Sequence, residues 1–207
     1  MTDPQIKMCK YVITIIATLT ILQGGIGDSR LSLLGEARGG VFRPDAPNFA
    51  KIYGSDDKML PVLAFGIGYK DVYMVARYRL FEASGQSLVA GIDLAGTAEW
   101  REEIITLGLR TYEFRPLYFE LAYALGFVEE SISTEQPEYS ALNRTFITKD
   151  NQGLSAAIGL TIKLITGIYL TGELEYIYIP INSEIEAGNE KVNLGGPSFS
   201  IGLSLVL

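Results

Sequence analysis

From residue 31 to residue 207 the chain repeatedly places apolar side chains at every second position, and this period of two constrains its fold more than any other feature. The final segment shows it most plainly. Phe199, Ile201, Leu203, Leu205 and Leu207 fall on one face, with Ser198, Ser200, Gly202 and Ser204 on the other. Successive side chains of a β-strand point to opposite faces, so such a segment is a strand with one apolar and one polar surface. A strand that crosses a bilayer within a barrel needs about 9–11 residues of this kind.

The same pattern recurs upstream. Leu117, Phe119, Leu121, Tyr123, Leu125 and Phe127 alternate with Tyr118, Glu120, Ala122, Ala124 and Gly126. Further segments run over residues 31–41, 63–69, 72–80, 105–113, 154–163 and 168–178, which brings the predicted strand count to eight. Short turns at Lys70–Asp71, Phe114–Pro116 and Leu164–Gly167 alternate with long connections over residues 42–60, 82–103, 129–151 and 180–195. That asymmetry is expected of a transmembrane barrel, with short turns on the periplasmic side and longer loops outside. Residues 87–94 have strand character inside the second long connection. They read as a hairpin above the membrane, with a ten-strand barrel as the alternative.

Composition agrees with an all-β chain, since 22 glycines and 12 tyrosines favour turns and strands over helices. The sequence contains no histidine, and its single cysteine, Cys9, precedes the strand-forming region. Residues 28–207 therefore lack the groups used by most metal sites and by His-dependent hydrolases. The net charge of −7, without a basic cluster, offers no nucleic-acid surface.

Lys7 and Lys10 precede the apolar run Tyr11–Leu22, which is followed by Gly24, Gly25, Ile26 and Gly27. This order is that of a secretory signal peptide. About a dozen apolar residues are too few for a spanning helix, which needs roughly 20. The expected organisation is a cleaved signal peptide over residues 1–27 and a barrel domain over residues 28–207.

Within that domain Glu36, Arg38, Arg77, Arg79, Arg110, Glu120, Glu173 and Glu175 fall on the polar face. Eight strands enclose a lumen narrow enough for side chains to fill, so four acids and four bases are expected to pair as a plug. A narrow conduction path is the alternative, and Glu173 beside Glu175 could also serve acid–base chemistry. Tyr69, Tyr78, Tyr123, Phe127, Tyr176 and Tyr178 fall on the apolar face, where aromatic rings would form girdles at the headgroup boundary. A soluble lipocalin-like barrel has the same period with its apolar side turned inward. Glu129, Glu130, Glu135 and Glu138 make the third long connection acidic, as solvated loop charge or as a site for cations or basic partners.

On these residues the chain resembles the small eight-stranded outer-membrane barrels of the OmpA-like and OmpX-like group. The best local likeness is the alternating terminus Phe199-Ser-Ile-Gly-Leu-Ser-Leu-Val-Leu207, which looks like the signal read by the barrel-assembly machinery, although Leu207 stands where that signal usually has an aromatic residue. The segment Val41–Gly54 looks like a first-loop pattern of uncharacterised barrels. The resemblance implies an antiparallel up-and-down transmembrane barrel in a Gram-negative outer membrane, in contact with lipid and lipopolysaccharide. The function expected is non-enzymatic, without a cofactor, as an envelope-structural or loop-binding protein whose external partner the sequence does not name. A porin-like narrow channel and a lipid-modifying enzyme are the other functional readings.

Overall fold

A computed structural model describes residues 31–45, 49–53, 58–85, 88–89, 92–93, 96–182 and 191–207. The expected signal peptide lies outside the described residues. Eight long strands form one closed antiparallel barrel: β1 (Leu31–Phe42), β2 (Lys58–Tyr69), β3 (Val72–Gly85), β4 (Gly96–Thr111), β5 (Leu117–Thr134), β6 (Arg144–Ile165), β7 (Ile168–Tyr178) and β8 (Gly196–Val206). Each strand pairs with its neighbours in sequence, and β8 pairs with β1 to close the sheet. The ten-strand alternative is excluded, because the barrel closes with eight strands and the described part of residues 87–94, Leu88–Val89 with Ile92–Asp93, forms a separate ladder. A second small ladder joins Pro180–Asn182 to Lys191–Asn193.

The short turns match the local chemistry. Lys70 adopts a positive φ of 58° between β2 and β3, and Gly167 one of 80° between β6 and β7. Leu31, the first described residue, and Leu207 lie at this short-turn end, where the Leu33 amide donates to the Leu207 carbonyl at 2.8 Å.

The register fixes the strand tilt. From Leu31 the partners run through Tyr69, Val72, Thr111, Phe119, Ile158, Leu174 and Phe199 and return to β1 at Val41, ten residues beyond the start. Such a stagger across eight strands implies the usual tilt of about 35–45°. Tilt brings Tyr78 on β3, Tyr123 on β5 and Tyr176 on β7 to nearly one level despite their different positions along the strands.

Sidedness separates the two barrel classes that share a two-residue period. Leu107, Leu109, Phe119, Leu121, Ile158, Leu174, Ile201 and Leu203 all point outward and are exposed, whereas charged side chains are buried inside. A soluble lipocalin-like barrel would have the reverse arrangement, so that alternative is overturned. The apolar band ends where Arg101 pairs with Glu103 on the outside of β4. Above it the sheet continues: β5 reaches Thr134 and β6 begins at Arg144. Much of residues 82–103 and 129–151, expected as loops, is therefore strand standing clear of the bilayer. These strands exceed the length a bilayer requires, and their outer face becomes charged while the inner face stays apolar except at Glu102 and Glu130. The ladder bends where the β5–β6 register shifts between Gly126 and Val128, opposite Asp150 with its positive φ of 60°.

Three layers fill the interior. At the short-turn end Leu34, Val75, Tyr73, Tyr112 and Tyr118 form a small apolar cluster. At the loop end a larger cluster joins Phe42, Leu60, Phe81, Trp100, Ile104, Val128, Ile132, Ile177 and Leu194. The short helix α1 (Phe49–Tyr53) inserts Phe49 and Tyr53 into this upper cluster. Between the two lies a polar layer.

Glycine opens room for the lower cluster. Tyr118 sits opposite Gly159 across the β5–β6 ladder, and a Cβ at position 159 would collide with the Tyr118 ring. Gly159→Leu is expected to destabilise the refolded barrel by roughly 1–3 kcal/mol, the usual penalty for overpacking, read as a lower urea midpoint. An unchanged midpoint would mean that the ring moves aside without loss.

Candidate functional site

The polar layer contains all eight charged residues of the predicted inward set, each with its side chain sealed from solvent. They come from β1, β3, β4, β5 and β7, and alternation alone aims them at one another. Arg110 on β4 is the best-bonded member. Its Nε donates to Glu120 Oε2 at 2.7 Å, and Nη1 and Nη2 grip Glu36 at 2.6 and 3.1 Å. Nη1 also donates to the Tyr112 hydroxyl at 3.0 Å, and the guanidinium carbon stands 4.3 Å from the centre of the Tyr118 ring. A planar, always-charged fork suits this combination of paired carboxylate contacts and ring stacking, which a lysine ammonium could not reproduce.

Arg77 on β3 bridges three acids. Its Nη2 lies 2.6 Å from Glu120 Oε1, and its Nη1 lies 3.1 Å from Glu173 Oε1 and 2.8 Å from Glu175 Oε2. Arg38 on β1 reaches Glu173 at 2.7 Å and Glu36 at 3.6 Å. Arg79 contacts Glu175, which also accepts a hydrogen bond from Ser155. Glu173 accepts from the Tyr118 hydroxyl at 2.7 Å, and Glu36 accepts from Ser204 at 2.9 Å. Glu173 and Glu175, the pair with the spacing for acid–base work, are thus both engaged by arginines. The layer is a cross-linked stopper between two apolar plugs.

The six aromatic residues read as a girdle all point outward. Tyr69, Tyr123, Tyr176 and Tyr178 are exposed, and Tyr78 and Phe127 are partly covered by neighbours. Tyr69 lies at the short-turn rim and the others toward the loop side of the apolar band. On β8, Phe199, Ile201 and Leu203 are exposed on the outer wall, with Leu205 and Leu207 half-buried near the rim.

Several interior residues escaped the sequence reading. Glu130, taken as loop charge, faces inward and is buried, while its neighbour Glu129 faces solvent. Glu102, Thr106 and Trp100 line the same upper interior from β4. A continued period of two, with Trp100, Glu102, Ile104 and Thr106 on one face, was the signal available for them.

The chain matches no known protein family by sequence and no curated protein. Solved structures do match in shape. OprG, an outer membrane protein from Pseudomonas aeruginosa, superposes with a TM-score of 0.56 at 15% identity, over 86% of this chain and 96% of its own. A major outer membrane protein from Thermus thermophilus gives 0.55 at 10% identity, over 85% and 99%. Ail, the attachment invasion locus protein of Yersinia pestis, gives 0.52 at 11% identity, over 86% and 98%. This is the small eight-stranded outer-membrane β-barrel fold. At such low identity the likeness extends to the barrel itself and not to what each barrel does. The outward apolar band and inward charges of this outer-membrane-type barrel agree with that fold on independent grounds.

Proposed function

We propose that the protein is a non-enzymatic barrel of a bacterial outer membrane, exported by a cleaved signal peptide over residues 1–27, with a closed lumen and a role carried by its outer surfaces. Lipid and lipopolysaccharide contact the band that includes Leu121 and Leu203, and the strand extensions of β4, β5 and β6 stand outside as a platform for the loops. The terminal Phe199, Ile201, Leu203, Leu205 and Leu207 are offered to the barrel-assembly machinery. The observation that carries this reading is the filled interior: an ion-paired layer sealed between an apolar cluster at each end. A solute path would require several buried charge pairs to separate at once, and breaking a single buried pair already costs about 3–5 kcal/mol. The absence of histidine and of cysteine after residue 27 supports the non-enzymatic part of the proposal.

Reconstitution into planar bilayers tests it. The refolded barrel is expected to leave the membrane electrically silent, and reproducible unitary steps would replace the closed barrel with a narrow channel. Fractionation with a gel run before and after boiling tests the location, the expected result being an outer-membrane protein whose migration changes on heating. A soluble fraction with heat-independent migration would contradict it.

A further inference from the structure

We propose that Glu102 is a proton-dependent latch that, beside the Glu130–Tyr53 hydrogen bond, holds α1 in the mouth of the barrel. The lumen network sets four guanidiniums against four carboxylates. Glu102 and Glu130 are additional to it, lie nearer the loops, and have no ion pair among the described residues. Each is almost fully buried and uses only one carboxylate oxygen. The Trp100 indole donates to Glu102 Oε2 at 3.2 Å, and the Tyr53 hydroxyl donates to Glu130 Oε1 at 2.8 Å. The other oxygens, Glu102 Oε1 and Glu130 Oε2, are buried without a partner.

Both donors belong to the seat of α1. Tyr53 is its last residue, and Trp100, the cross-strand partner of Glu130, packs 5.6 Å from Phe49 and 5.9 Å from Tyr53 between ring centres. Among the described side chains, Arg79 from β3 acts on Glu102, although it is already in contact with Glu175, and Tyr53 from α1 reaches Glu130. Arg101, Glu99, Glu103 and Glu129 lie on the outer face of the wall.

A neutral carboxylic acid can remain in such a site, but a carboxylate with an unpartnered oxygen needs water or a cation. Glu102 stands on the part of β4 above the apolar band, level with the exposed Arg101 and the half-buried Glu103 on the outer face. Burial pushes its pKa up from 4.5 to about 8, against the opposing pull of the Trp100 hydrogen bond and Arg79. The seated form therefore binds a proton that the hydrated form releases between those values. Its stability is complete at low pH and falls as pH rises toward about 8. Helix α1 lies outside the barrel ladder and brings Tyr53 to Glu130, so it is the part that yields. Ionisation leaves the lower charge network in place, so the latch does not depend on the closed-lumen reading.

Trp100 is the chain's one tryptophan and reports directly. The barrel refolded in vesicles should be titrated from about pH 5 to about pH 10 while tryptophan emission and acrylamide quenching are recorded. The expected result is blue-shifted, protected emission on the acid side, then a red shift and a several-fold rise in quenching on the alkaline side, with unchanged far-UV circular dichroism. Glu102→Gln keeps the acceptor, cannot ionise, and should remain protected throughout. Emission and quenching independent of pH in the natural sequence, or identical titrations in the two proteins, would overturn the latch. So would a loss of β-sheet signal over the same range, which would assign the change to the whole barrel.

Discussion

Arg110→Met is expected to destabilise the folded barrel by about 3–5 kcal/mol, the usual consequence of removing one member of a buried charge pair. Methionine fills much of the volume but leaves Glu36 without its two-nitrogen fork and Glu120 without its 2.7 Å donor. For ion pairing Glu36 would keep only Arg38 at 3.6 Å and Glu120 only Arg77 at 2.6 Å, which leaves four carboxylates against three guanidiniums in a layer sealed at both ends. Arg110→Lys keeps the charge but not the fork, so it should recover only part of the loss. Urea titration of the barrel refolded in vesicles measures both variants. An Arg110→Met midpoint equal to that of the natural sequence would mean that the network contributes nothing net to stability.

Leu121→Arg is the second large effect. Leu121 is 64% exposed at the middle of the apolar band, between Leu109 and Ala156 on the adjoining strands. An arginine near the bilayer midplane on the lipid face of a barrel costs about 2–4 kcal/mol. Folding into vesicles should be impaired accordingly, whereas Tyr69→Arg at the short-turn rim should have little effect because the penalty falls away toward the interfaces. Equal folding of the Leu121→Arg and Tyr69→Arg variants would show that the two positions meet the same medium.

The eight charged lumen residues were legible because each interrupts an otherwise small or apolar inward face within the membrane band. Arg110 and Glu120 sit across the β4–β5 ladder from each other, and an alternation correct in both strands was enough to place them together. Glu102 and Glu130 were not legible, for a definite reason. The apolar outer face stops at Ile105 on β4 and Phe127 on β5, and the charges that follow look like loop. What stops there is the lipid rather than the sheet, and the interior pattern runs on through Trp100 and Ile132. Helix α1 was hidden because five residues are too short for a helical period to show. Its Phe49 and Tyr53 acquire their meaning only from the cavity mouth they fill. The bulge opposite Phe127 was also invisible, since a register shift changes the partner of a side chain without changing its residue type.

The central claim, that one face of each strand meets lipid and the other a sealed lumen, is tested most directly at two adjacent positions. Leu121 is 64% exposed and Ala122 only 3%. Because the only cysteine, Cys9, lies within the proposed signal peptide, single cysteines at 121 and 122 can be introduced into residues 28–207 without a competing thiol. Each is given a small fluorophore and refolded in vesicles that contain a lipid-dissolved quencher. Strong quenching at position 121 with weak quenching at 122 is the predicted result, and equal quenching at the two positions, or the reverse order, would contradict it.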